Sequence, residues 1–310
     1  MCLNGGECLK TAAGHQCDCS FGYTGVNCAI AGDDDAVTGE DKIFLTDITA
    51  RKVYVAVLGI YTFTALNEDD DPIEAWDIAF DETKQKLYWT NKTDNKIYRG
   101  NWDMTERIPV SHGNYSDPTS ISIDESRGQI YCAYLGDQVI TRIDLDDPDS
   151  EINLFGQLTR PSAVELDETN GYLYFTQTGR VYRWNYISES NYDKLYSNYP
   201  DVNDIDAIAI EVPANRLSVC DYGNAKVITM DLNGNDPKEV AILSDYKISD
   251  ILLYKGAYYM SHSGAEDGQM TLLKYALDSE SLLNVFNDSD HLFGDVKKIQ
   301  VANVAMLSLN

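Results

Sequence analysis

KLYWTNKTDNKIYRG, residues 86–100, holds an apolar run, a polar turn and a second apolar run. It also contains Asn91-Lys92-Thr93, an acceptor pattern for N-linked sugar. Either it is one exposed, sugar-bearing strand, or it is one copy of something repeated and buried, and self-similarity decides between them. Five further segments align with KLYWTN: KIFLTD (42–47), QIYCAY (129–134), YLYFTQ (172–177), RLSVCD (216–221) and AYYMSH (257–262). Their starts lie 43–44 residues apart, and 41 for the last. One column reads Leu45, Trp89, Cys132, Phe175, Val219, Met260 and is always apolar. The next reads Thr46, Thr90, Ala133, Thr176, Cys220, Ser261 and is always small. Such alternation marks strands with one packed and one crowded face.

A second set recurs at about the same period: WDIAFD (76–81), TSISID (119–124), SAVELD (162–167), DAIAIE (206–211), SDILLY (249–254) and KKIQVA (297–302). Further strands follow the first set, among them KVYVAV, KIYRGN, VITRID, VYRWNY and KVITMD. Each unit therefore carries about four short strands, and there are six units. The period and the strand count predict an all-β fold, a six-bladed β-propeller over residues 42–302. Helix pairs of this length would need a 3.6-residue periodicity that the segments lack, and a stacked β-solenoid would use shorter repeats. The first unit begins at the second kind of strand and the last ends on the first kind. The C-terminal strand is thus expected to complete the blade begun after the N-terminal linker, which removes a sheet edge. Residues 303–310 are left as a tail.

Tyr88-Trp89-Thr90-Asn91, the following Asp94-Asn95-Lys96-Ile97, and residues 160–167, RPSAVELD, resemble the YWTD-repeat propellers of the low-density lipoprotein receptor family. The resemblance covers residues 42–302, with Thr-Asp intact only at Thr46-Asp47 and the other copies degenerate. It implies a module that binds protein loops at the channel mouth, with an Asn or other short side chain inserted. It also implies that Asn91 stands where the family keeps a structural Asp that ties neighbouring blades. Its side chain is then engaged and carries little or no glycan. Asn114 and Asn287, the other two acceptor positions, lie in polar, turn-rich segments and are the expected glycan sites.

Five of the seven cysteines, Cys2, Cys8, Cys17, Cys19 and Cys28, crowd the first 28 residues. A dense cluster in a Gly-rich segment without an apolar core points to a disulfide scaffold and an oxidising compartment rather than to zinc, since no CxxC pair is present. The run Cys17-x-Cys19, five residues, Gly25, two residues, Cys28 resembles an epidermal-growth-factor-like (EGF) domain. That resemblance implies pairs Cys2–Cys17 and Cys19–Cys28, with the partner of Cys8 missing. The expectation is a spacer at residues 1–28, read as the tail end of a longer protein, then an acidic linker at 29–41. Lys10 occupies a position where calcium-binding EGF-like domains keep Asn or Asp, so this module is not expected to bind calcium. Cys132 and Cys220 fall in the packed and small columns and are expected to be free and buried.

The chain of 310 residues carries 50 acidic against 24 basic side chains, a formal charge of −26. That balance excludes nucleic acid and anionic membranes as partners and favours cationic ones or divalent ions. No run of 18 apolar residues exists, so no membrane segment is expected, and no signal peptide is recognisable. The localisation expected is extracellular, secreted or as an ectodomain.

Residues just before each inner strand should line the channel mouth. One column gives Trp76, Thr119, Ser162, Asp206, Ser249 and Lys297; its neighbour gives Asp77, Ser120, Ala163, Ala207, Asp250 and Lys298. With Glu74 and Arg160 nearby, the mouth offers an aromatic group, carboxylates and bases. The partner expected is an extracellular protein with a basic or amide-bearing loop, recognised by Trp76 beside acidic groups. The competing reading is an acidic secreted matrix, biomineral-associated or small-ligand carrier protein whose surface carboxylates bind calcium weakly. A metal hydrolase built on Asp77, Asp206 and Asp250 is disfavoured, because the aligned columns lack Asn ligands and neither GxSxG nor HExxH occurs. No enzyme, no resident metal and no cofactor are expected.

Overall fold

The computed structural model describes residues 39–196, 205–222, 226–242, 247–263, 271–277, 281–287, 293 and 295–305, with four short strands between residues 7 and 31. The chain divides into two compact units, residues 41–302 and residues 1–40 with 303–310. In the smaller unit, strands Glu7–Thr11 and Gly14–Asp18 form a hairpin that sets Cys8 opposite Cys17, and Tyr23–Thr24 pairs with Ile30–Ala31. The cysteine side chains there, and so the expected disulfide pairs, lie outside the described residues.

The larger unit contains six four-stranded sheets, five of them running in chain order from an inner to an outer strand. Blades 2 to 6 start at the inner strands Ile78–Asp81, Pro118–Asp124, Pro161–Asp167, Ile205–Glu211 and Lys247–Tyr254. Blade 1 is composite: the C-terminal strand Val296–Ala305 lies inside Gly39–Asp47, Lys52–Val57 and Thr64–Ala65. Ring closure through the last strand, expected from the order of the segments, is what the chain does. No helix among the described residues is long and apolar enough to cross a membrane.

Both columns of the second strands are fully buried, with the apolar and the small members alike at 0–1% exposure. The blades stack face to face, so an alternating strand has no solvent face and its two sides fill two different interfaces. Tyr88 and Ile97 of blade 2 pack with Ile121, Cys132 and Tyr134 of blade 3, for example. Cys132 and Cys220 are free, buried thiols.

The small column has a second task. Four inner strands carry a register shift at their start, between Pro118 and Ser120, Pro161 and Val164, Ile205 and Ala207, and Ile248 and Asp250. A bulge leaves an amide without a ladder partner and re-aims a side chain. A threonine of the small column supplies an acceptor at the bulged start of blade 4 and at the starts of blades 2 and 1. Thr90 Oγ1 accepts from the amides of Trp76 (3.1 Å) and Asp77 (3.0 Å), Thr176 Oγ1 from Ala163 (2.9 Å) and Thr46 Oγ1 from Lys298 (3.0 Å). Where the column holds Ala133, the contact is reversed: Thr119 Oγ1 donates to the Ala133 carbonyl at 3.1 Å.

Inner strands also lack a neighbour on their channel side, and the preceding blade completes them. Asp77 Oδ2 accepts from Ile121 N (2.8 Å), Ser120 Oγ from Val164 N (3.1 Å), Ser122 Oγ from Leu166 N (3.2 Å) and Asp250 Oδ2 from Ile299 N (2.9 Å). Each bond satisfies an amide that would otherwise be buried alone. Thr176→Val keeps shape but removes the acceptor for the Ala163 amide. The expected loss is about 1–3 kcal/mol in urea denaturation, the usual penalty for an unsatisfied buried amide; an unchanged midpoint would dismiss the cap.

Candidate functional site

All twelve residues of the two mouth columns surround one cavity of about 30 Å³ at the head of the channel, joined by Val164 and Ile208. In blades 3 to 6 the bulges explain why two consecutive residues share it. A regular strand would send them to opposite faces. Glu74 and Arg160 do not line this cavity. Glu74 instead lies 3.9 Å from Arg51, which donates to Thr93 Oγ1 at 2.6 Å. Arg160 sits at a left-handed backbone position (φ 51°) just before its inner strand.

Trp76 is the centre of the rim. Lys92 Nζ stands 3.2 Å from the Trp76 ring centroid and Lys297 Nζ 5.3 Å, so the indole face is covered by cations. Lys92 also pairs with Asp117, and its burial lowers its proton affinity below the ordinary lysine value. Lys297 pairs with Asp295 at 3.0 Å. Two polar atoms at the mouth are buried without a hydrogen-bond partner, Trp76 Nε1 and Ser249 Oγ. Sequence reasoning missed Lys92, because it belongs to the turn after the second strand and lies sixteen residues from Trp76.

One step deeper, the second column closes the channel. Lys298 Nζ lies 3.4 Å from Asp250 Oδ1 and 3.7 Å from Asp77 Oδ1. The carboxylates expected to face a ligand are therefore turned inward, each shared between this ammonium and an amide of the next inner strand. Glu165 approaches Lys298 from a further layer, where a second cavity of about 190 Å³ begins. Burial pushes Asp250 up to about 6 and Glu165 up to about 7, against the opposing pull of Lys298. Asp77 is raised for the same reason. Burial disfavours the Lys298 ammonium, but Asp250, Asp77 and Glu165 outweigh it and hold the lysine charged, above its ordinary value. Glu165 carries no signal in the sequence beyond a charged residue on an inner strand.

Among the described residues no group of three or more His, Cys, Asp or Glu side chains is placed to hold a metal ion. In the trio weighed for a metal cage, Asp77 and Asp250 are tied to Lys298. A larger concavity of about 570 Å³ lies on the outside of blade 2, lined by Lys84, Lys86, Arg99, Glu106 and Asp146. Its Arg99 reaches Asp146 at 2.9 Å and its Lys86 reaches Asn101 at 2.6 Å, so those cations serve the fold.

At the acceptor sites for sugar, Asn91 Oδ1 caps its own turn by accepting from Thr93 N at 3.2 Å. The side chain is engaged, but it does not tie blades. That work falls to Asn95, whose Oδ1 accepts from Asp117 N of the next blade at 2.9 Å. Asn114 is exposed. The Asn287 side chain lies outside the described residues.

No family model matches the sequence, and no curated protein matches it either. Solved structures match its fold. A chain of the nidogen/laminin complex, a YWTD β-propeller, superposes with a TM-score of 0.73 at 14% identity, covering 84% of this chain and 98% of that one. Virginiamycin B lyase from Staphylococcus aureus gives 0.58 at 14% identity over 79% of this chain and 83% of its own. A streptogramin B lyase gives 0.57, also at 14%, over 78% of each. These likenesses show the six-bladed fold and no more, since one fold serves binding modules and enzymes alike.

The raised Glu165 has a defined sign. The folded chain holds its proton up to about 7, against an ordinary value of 4.5, so its contribution to stability is full at acid pH and is lost as pH rises between those values. Glu165→Gln should raise stability at pH 8 by roughly 1–2 kcal/mol, discounted for its water-facing side, and leave it nearly unchanged at pH 4.5. Urea titrations at the two pH values check this; an equal effect at both would contradict it.

Proposed function

We propose that this chain is an extracellular protein-binding module, not an enzyme, that receives a short side chain from a partner's loop at the channel mouth. The group received carries an acceptor oxygen, the amide of Asn or the carboxylate of Asp. One observation carries the reading: Trp76 Nε1 is a buried donor with no acceptor, set in a rim with Lys297 and with the unpartnered hydroxyl of Ser249. A buried N–H left alone costs free energy that an incoming oxygen would recover. A basic loop is disfavoured, because Lys92 and Lys297 already cover the indole and Asp77 and Asp250 face inward.

Size supports the same conclusion. A cavity of about 30 Å³ admits one functional group, whereas small-molecule sites run to about 300–1,000 Å³. The likeness to a propeller from a nidogen/laminin complex supports a protein partner and an extracellular setting, as does the N-terminal cysteine spacing. No cofactor enters the reading.

A display library of disulfide-looped peptides with one randomised central position tests it. Selection on the full chain should enrich Asp and Asn over Lys and Arg. Trp76→Phe, which keeps one aromatic ring and removes the N–H, should weaken the selected peptides about tenfold, the worth of one buried hydrogen bond. Enrichment of basic residues, or full affinity in Trp76→Phe, would contradict the reading.

A further inference from the structure

Lys298 belongs to the strand that closes the ring, and its two carboxylate neighbours come from the blades on either side. Asp77 precedes the inner strand of blade 2, and Asp250 lies on that of blade 6. Each also accepts an amide of the following inner strand, Ile121 and Ile299. The closing strand, which pairs through its backbone with Gly39–Asp47, is thus also tied by one ammonium to both flanking blades, and Ile299, next to Lys298 in that strand, is bonded to the same Asp250.

Each member of this cluster is bonded in sequence to a rim residue. Trp76 precedes Asp77, Ser249 precedes Asp250 and Lys297 precedes Lys298. These three rim residues carry the orphaned indole N–H, the orphaned hydroxyl and the cation beside the indole. The mouth therefore stands directly on the cluster, with one peptide unit between the layers at three of its six positions.

The surroundings of Lys298 complete the charge count. Blade 3 brings the neutral Ser120 and Ser122, blade 5 brings Ala207 with Asp206 at the rim, and blade 1 adds Gln300 beyond Lys298 itself. Blade 4 brings Glu165, with Glu168 lining the deeper cavity. Three carboxylates, Asp77, Asp250 and Glu165, thus face one ammonium within the channel. With all three ionised, the cluster would hold an excess of negative charge in a poorly hydrated space, a state that favours retention of a proton.

We infer that the Lys298 cluster is a proton-linked clasp, which locks the closing strand to both flanking blades and sets the position of the mouth according to its protonation. Asp250 and Glu165 are the groups whose affinities fall in the working range, about 6 and about 7. As the pH rises through that range, the retained proton leaves, Lys298 is drawn by the additional carboxylate, and the adjoining Lys297, Ser249 and Trp76 move with their peptide units. An anionic occupant above the cluster raises its proton affinity, and by linkage acidification favours that occupant. This last consequence rests on the mouth being the binding site; the clasp itself does not.

The test uses the free protein, so its failure is separable from failure of the binding proposal. In a ¹⁵N-indole NMR titration of the full chain, the Trp76 Nε1 resonance, assigned by its loss in Trp76→Phe, should shift with a midpoint between about 6 and 7. Trp184 Nε1, bonded to the Ser190 carbonyl at 2.7 Å, serves as the control and should stay flat. Glu165→Gln, which breaks no hydrogen bond among those described, should abolish the transition or move it by at least about one pH unit. Asp250→Asn, which keeps an oxygen for the Ile299 amide, should act likewise. A flat Trp76 resonance, or a transition unchanged in whichever of these variants folds, overturns the clasp.

Discussion

A propeller is a ring made from an open chain, and its one seam must be held by non-covalent forces. Here the closing strand Val296–Ala305 pairs with Gly39–Asp47, and Lys298 adds an ionic tie to both flanking blades, its ammonium 3.4 Å from Asp250 and 3.7 Å from Asp77. Burying these charges carries a large desolvation penalty, and apolar side chains of similar volume could often do as well for stability alone. What the ionic arrangement adds is direction. An ammonium between two carboxylates, each also bonded to a backbone amide, adds a directional constraint to the one that the backbone ladder and the Thr46 hydroxyl already place on the closing strand.

The same economy of parts links the seam to the mouth. Bulges at the starts of four inner strands re-aim residues toward the channel, and threonines from the second strands accept amides at the starts of blades 1, 2 and 4. Side chains of both columns stitch blades: Ser162 donates to the Ile205 carbonyl at 2.8 Å, and Asp77, Ser120 and Asp250 accept amides of the next inner strand. The proposed mouth and the ties between blades therefore lie a single peptide unit apart at Trp76-Asp77, Ser249-Asp250 and Lys297-Lys298. The unpartnered Trp76 indole N–H at the rim contrasts with Asp77 just below it, whose carboxylate oxygens are both in use.

Much of this was legible in the sequence, for a definite reason. Residues such as Leu45, Trp89 and Phe175 repeat because every blade buries the same two faces, so period and alternation report the architecture directly. The mouth columns were legible through the same alignment. Roles within them were not. Asp77 and Asp250 read as ligand-facing carboxylates because nothing local reveals that Lys298, far along the chain, is their neighbour. Lys92 escaped notice because a turn residue follows no strand period. Glu74 and Arg160 were drawn in by proximity in sequence, yet the backbone carries them away from the cavity. The assignment of blade-tying to Asn91 failed by a few residues: it caps its own turn, and Asn95 crosses to the next blade.

Native-state hydrogen exchange on Lys298→Met addresses the central claim most directly, because the substitution keeps an unbranched side chain, one atom shorter, and deletes the ammonium. The amides of Ile121 and Ile299, held by Asp77 and Asp250, should lose protection together. The amides of Val164 and Leu166, held by serines elsewhere in the ring, should keep theirs. Uniform loss across all four, or no loss at Ile121 and Ile299, would contradict a seam held by this ammonium.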